Sequence, residues 1–199
     1  MYRQPLTEGE FFHIYNRGVN GESIFKEIKN YYFFLEQYKH YCSQIFDTYA
    51  YCLLKNHFHL VLYINENIEV PRNDGNGMYK LDASKQLSHF FNSYAQSINK
   101  SYQRTGQLFE SSFERRLVDS DGYLKQLIYY IHNNPVHHGF TSDMSSWEFS
   151  SYQEIIKVPN NSFLAIDKIL ACFGGIENFK DEHKRITDEG DLSKYVIER

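Results

Sequence analysis

Apolar and aromatic residues gather over Phe11 to Arg17 (FFHIYNR), and Gly18 with the Asn20-Gly21 pair breaks the run, which predicts a first strand ended by a turn. Phe33, Phe34, Tyr38, Tyr41, Cys42 and Ile45 then recur at helical spacing, with Asn30 placed to cap the helix. Thr48 to Leu54 and His57 to Ile64 read as two strands joined by a tight turn at Lys55-Asn56. Side chains alternate faces along a strand, so Phe58, Leu60 and Leu62 share a core face and His57, His59, Val61 and Tyr63 share the other. Residues 65–80 are polar with Gly and Pro and predict a loop. Ser84 is placed to cap a helix carrying Leu87, Phe90, Phe91, Tyr94, Ala95 and Ile98. Phe113 to Val118 suits a strand, and Asp121 opens a helix with a Leu124, Leu127, Ile128, Ile131 stripe that Pro135 is expected to close.

The resulting order, β-α-β-β-α-β-α, predicts an α+β domain of the ferredoxin-like, split βαβ type, with an antiparallel sheet and helices on one face. Residues 1–159 are expected to form this domain. Asn160-Asn161 is read as a linker to a short helical C-terminal extension, 160–199, whose apolar part ends at Gly174-Gly175. From Lys180 on, charges of both signs suit a solvated helix or a frayed tail.

Composition narrows the class. A chain of 199 residues with 42% hydrophobic content buries a real core and is not disordered. Its 17 tyrosines and 16 phenylalanines are unusually many; most suit core packing, and a few could stack on unpaired bases. A net charge of −4 does not advertise nucleic-acid binding, although a local basic groove suffices for it. The 3 cysteines, widely separated and without a C-x-x-C pair, read as reduced thiols in a cytoplasmic protein. The N-terminal segment lacks a signal-peptide core, and no apolar run reaches membrane-spanning length.

Candidate chemistry lies in two segments. His57 and His59 share a strand face, where two imidazoles can hold one divalent cation, although a bare H-x-H is short and common by chance. In Tyr129-Tyr130-Ile131-His132-Asn133-Asn134-Pro135, Tyr130 and Asn134 lie only about 40° apart around a helix. An amide oxygen is a fit third ligand, so His57, His59 and Asn134 could bind a cation with open positions one turn from Tyr130. Such a cation would neutralise a phosphate and turn it toward the phenol, which alone is a poor nucleophile with a pKa near ~10. Tyr123 lies on the same flank, and periodicity leaves it a rival. Arg17, Lys100, Arg104, Arg115, Arg116 and Lys125, with Tyr94, Tyr102, Phe109 and Phe113, frame the region and could meet phosphates and bases; His137 and His138 could touch phosphate.

With these residues in place, the chain resembles the single-tyrosine HUH transposases, most of all the REP-associated tyrosine transposases. The matching pieces are Tyr15 to Gly18 (YNRG), Asn56 to Leu60 (NHFHL), Gly106 to Arg116 (GQLFESSFERR), Tyr130 to Gly139 (YIHNNPVHHG) and Ser146 to Tyr152 (SWEFSSY). Lys55 stands where such proteins often carry proline. The resemblance implies a Mg²⁺- or Mn²⁺-dependent endonuclease and strand transferase acting on single-stranded, hairpin-bearing DNA, as a monomer or homodimer. It implies His57, His59 and Asn134 as metal ligands and Tyr130, in preference to Tyr123, as the nucleophile that forms a 5′-phosphotyrosine. Arg17, Arg104, Arg115, Arg116, Lys125 and His137 are the candidate DNA contacts. Two other readings stand beside it: a domesticated binder of DNA or RNA hairpins, and a ferredoxin-like protein in which His57 and His59 hold a structural metal.

Overall fold

The structure is a computed structural model that describes residues 4–72, 76–159 and 162–189. In chain order its elements are β1 (Phe11–Arg17), α1 (Ile28–Cys42), β2 (Phe46–Leu54), β3 (His57–Ile64), β4 (Glu69–Pro71), β5 (Met78–Lys80), α2 (Ala83–Ser101), β6 (Glu114–Val118), α3 (Asp121–His137), α4 (Ser151–Lys157), α5 (Ile166–Phe173) and α6 (Ile176–Glu189). Four strands form one sheet in the order β2-β3-β1-β6 with every neighbouring pair antiparallel. This is the expected ferredoxin-like arrangement: α1 carries the chain from β1 past a gap to β2, and the hairpin strand β3 fills that gap.

The helices, however, cover both faces of the sheet rather than one. Crossover helices α1 and α2 pack on the Phe58 face, with ring centroids 5.1 Å apart for Phe34–Phe58 and 5.3 Å for Phe58–Phe91. Helix α3 packs on the opposite face, where Tyr130 meets His59 at 5.8 Å. The reason is visible on β3, whose Val61 is as buried as Leu60 and Leu62 although it points the other way. A strand apolar on both faces needs a cover on each.

Several boundaries differ from those read in the sequence, each for a local reason. Glu27, not Asn30, is the N-cap of α1; the Asn30 amide oxygen instead accepts from the backbone N–H groups of Lys26 and Glu27, each at 3.0 Å, as the return half of a capping box. Asp82 caps α2 by accepting from Lys85 N, and Ser120 caps α3 by accepting from Tyr123 N. The segment 65–80 is not all loop, since β4 and β5 pair within it. Pro135 does not close α3, which runs on to His137. So near the C-terminus a proline forfeits one intrahelical bond, and its own carbonyl still accepts from Phe140 N at 2.8 Å.

The free edge of β2 is sealed by the chain that follows α3. Trp147 Nε1 donates to Leu53 O at 3.0 Å, Leu53 N donates to Phe149 O at 2.9 Å, and Ala165 N donates to Thr48 O at 3.0 Å. Helices α5 and α6 then add Ile169, Phe173 and Phe179 to the same hydrophobic cluster as the sheet. The Asn160-Asn161 linker and the tail beyond Glu189 lie outside the described residues. The three cysteines are all free thiols. Among the described residues no helix is long and apolar enough to cross a membrane.

Candidate functional site

Strand β3 presents His57 and His59 on the α3 side of the sheet, paired across β1 with Arg17 and Tyr15. The intervening Phe58 points into the α1/α2 core, which fixes the strand's rotation and so the direction of both imidazoles. Their rings lie 5.3 Å apart and nearly perpendicular. Helix α3 brings Asn134 to them, its Oδ1 3.2 Å from His57 Nε2, and one turn earlier brings Tyr130 against His59. Asn134 and Tyr130 are 0% and 1% exposed. All four residues meet within a single chain.

The donor atoms suit a divalent cation. His57 Nδ1 lies 2.9 Å from Asn56 Oδ1. When Nδ1–H donates to that oxygen, a neutral His57 turns its Nε2 lone pair toward Asn134 Oδ1. His59 Nε2 is buried with no hydrogen-bond partner, as is Asn134 Nδ2. Burial holds His59 well below the usual histidine range, with the neighbouring His13, His57 and His138 adding to the effect, so its ring stays neutral and ligand-ready. Among the described residues no three His, Cys, Asp or Glu side chains come together in a metal-holding group. An ion here would therefore rest on two imidazoles and an amide oxygen, leaving positions for ligands from outside.

Tyr130 lies beside the histidines, whereas Tyr123 sits two turns back on α3 with the Arg116 guanidinium 5.4 Å from its ring centre. The candidate DNA contacts are dispersed. Arg17, half exposed at the rim near His57, is held by Glu110. Arg104 is held by Glu22 and by Asn99 at 3.0 Å. Arg115 faces away from the histidines, reaching Ser84 Oγ at 3.1 Å and covering the Phe113 ring at 4.4 Å. Arg116 is exposed on the histidine side, opposite His13. Lys125 is not brought to the site: it lies 3.5 Å from Glu182 and over the Phe173 ring. His137 is exposed at the end of α3 beside His138, whose own ring is 4.8 Å from that of His57.

One residue of this cluster is not visible from sequence spacing. His13, fully buried on β1, lies with its Nε2 2.9 Å from His59 Nδ1. Only the β1–β3 register brings it there, and the one hint in the sequence is a lone polar side chain in an apolar run. Burial, aided by the charge of Arg116, pushes His13 down to about 3.

The fold and the gathered side chains define an antiparallel α+β domain with a histidine pair facing a helix-borne tyrosine and asparagine. No family model matches the chain. In sequence it is similar to a curated protein of Haemophilus influenzae named "Putative REP-associated tyrosine transposase", with 29% identity over 162 residues covering 78% of this chain and 87% of that protein. In fold it is similar to a solved structure of a REP-associated tyrosine transposase bound to a REP hairpin. That match has a TM-score of 0.61 at 16% identity and covers 82% of this chain and 88% of that one. The resemblance to the REP-associated tyrosine transposases read from the motifs is thus present in both sequence and fold.

Proposed function

We propose that this protein is a cytoplasmic transposase of the single-tyrosine HUH type, which binds hairpin-bearing single-stranded DNA and cuts it by tyrosine attack on a phosphate. The observation that carries this reading is the meeting of His57, His59, Asn134 and Tyr130 at one place. A structural metal would need the ligands but not the tyrosine.

In this reading His57 Nε2, His59 Nε2 and Asn134 Oδ1 would hold Mg²⁺ or Mn²⁺. The ion supplies charge neutralisation and orientation of the phosphate's non-bridging oxygens. Tyr130 Oη forms the new bond to phosphorus as the bond to the 3′-oxygen breaks. The proton lost by the phenol is balanced by the one the departing 3′-hydroxyl takes up. The product is a 5′-phosphotyrosine that keeps the phosphate's bond energy for rejoining. Arg17, Arg116 and His137, at the rim of this face, are the best placed of the basic residues to meet the DNA backbone. Since one chain holds the full set, a single copy is sufficient for a cut.

Tyr130 is enclosed in the state described, so a phosphate reaches its hydroxyl only after the surroundings open. That burial favours a second reading, a hairpin-binding protein that no longer cuts. One experiment separates the two: incubation with a library of labelled hairpin-bearing single strands and Mn²⁺, followed by a denaturing gel. The transposase reading expects a covalent protein–DNA adduct that Tyr130→Phe abolishes. Binding without any adduct would support the second reading, and an adduct that survives Tyr130→Phe would move the nucleophile elsewhere.

A further inference from the structure

We propose that His13 is a positioning residue for the metal site: it accepts a hydrogen bond from His59 Nδ1 and so keeps His59 Nε2 bare and aimed at the ion. The inference rests on the metal-site reading above and assigns a role to a residue that reading does not use. His13 lies on the same sheet face as His59, two residues along the ladder, since His13 stands opposite Val61 and Tyr15 opposite His59. Diagonal neighbours of this kind reach each other when the side chains are long or aromatic. Here the rings stack, with centroids 5.1 Å apart and planes 28° from parallel, and His13 Nε2 comes 2.9 Å from His59 Nδ1. Tyr15 stacks over the His59 ring as well, at 6.0 Å, so the imidazole is held in plane by both neighbours of β1.

Two neutral imidazoles joined nitrogen to nitrogen share a single proton. If His13 donates it, His59 carries its own proton on Nε2, the atom that would have to bind the metal. If His59 donates it, Nε2 keeps its lone pair. The remaining ring atoms, His13 Nδ1 and His59 Nε2, are both buried without hydrogen-bond partners. Either arrangement therefore leaves one donor and one acceptor unsatisfied, and hydrogen bonding alone does not choose. A cation at His59 Nε2 does choose, because it satisfies that lone pair and fixes His59 as the donor. His13 then acts as the outer partner that sets the tautomer and orientation of a metal-bound histidine, a role worth roughly 10- to 100-fold in metal affinity.

Mn²⁺ titrations followed by electron paramagnetic resonance test this on the full chain. His13→Leu, which fills the space but accepts no hydrogen bond, is expected to bind Mn²⁺ roughly 10- to 100-fold more weakly than wild type. His13→Gln, whose amide oxygen is an acceptor, is expected to recover most of the loss. A folded His13→Leu protein with wild-type affinity would overturn the proposal, as would equal losses in both variants, which would indicate packing alone. If the wild type itself binds no Mn²⁺, the metal-site reading falls and this role falls with it, an outcome distinct from the other two. Should His13→Leu fail to fold, nitrogen NMR of the wild type in Mg²⁺ decides. A protonated His59 Nδ1 with scalar coupling to His13 Nε2 is expected, and an unprotonated His59 Nδ1 or no coupling overturns the assignment.

Discussion

Phe58 decides where both histidines point. It is wholly buried and meets the rings of Phe34, Phe91 and Phe109 from the side of β3 opposite the metal-ligand candidates. Rotating the strand to release His57 and His59 would drag this ring out of the α1/α2 core. Phe58→Ala is therefore expected to cost about 3–5 kcal/mol in urea-induced unfolding, the range for a buried phenylalanine whose cavity cannot fully collapse. A loss under about 1 kcal/mol would mean that the strand is held by its hydrogen bonds rather than by this anchor. At this scale much was readable from the sequence. A period of two places His57 and His59 together, and a period of 3.6 places Tyr130 with Asn134. His13 was not readable, because its contact depends on the register between two strands more than forty positions apart, which no local spacing encodes.

Helix α6 is tied to α3 through a buried chain of polar groups. His183 Nδ1 donates to Phe179 O at 2.8 Å, its Nε2 lies 2.9 Å from His132 Nδ1, and His132 Nε2 lies 2.7 Å from Ser151 Oγ at the start of α4. With each ring neutral, His132 donates to His183 and Ser151 donates to His132. Burial holds His132 well below the usual histidine range and pushes His183 down to about 4. The unfolded chain takes up these protons near pH ~6.5, before the folded one does. Stability is therefore full above that pH and falls as pH drops toward 4. For His183 alone the loss at pH 5 is about 2 kcal/mol. His183→Phe leaves the His132 Nδ1 donor unmet and costs about 1–3 kcal/mol at pH 7.5, but the variant lacks this titration. The gap between wild type and variant is expected to narrow by about 2 kcal/mol between pH 7.5 and pH 5, read from urea midpoints. Parallel curves would show that His183 does not control acid stability. No local spacing signals this link, since His132 and His183 are far apart and the charged surroundings of His183 suggest a solvated helix.

Across the whole molecule, the C-terminal segment is part of the core and of the sheet's edge protection. Composition suggests a split at residue 159: Asn160-Asn161 looks like a linker and the last residues carry charges of both signs. What composition does not convey is which surface a short apolar helix will cover. Leu164, Ile166, Ile169, Phe173 and Phe179 are all buried in the cluster that includes the sheet, and the stretch around Leu164 runs alongside β2 at Thr48. Burying five such side chains is worth about 1.5–3 kcal/mol each, which together reaches the net stability of an entire domain, about 5–15 kcal/mol. Removing the segment would also leave part of the β2 edge open to pairing with another chain. A chain ending at residue 159 is thus expected to lose its cooperative thermal transition or to aggregate, and to lose the proposed DNA binding for that reason rather than through missing contacts. A truncated protein that melts cooperatively within a few degrees of the full chain would show instead that α5 and α6 are an appended module. Because α3 carries Tyr130 and Asn134 on its sheet-facing side and His132 toward α6, the C-terminal helices brace the element that completes the site. If the metal site proposed above exists, their loss should therefore weaken Mn²⁺ binding even in a truncated chain that stays folded.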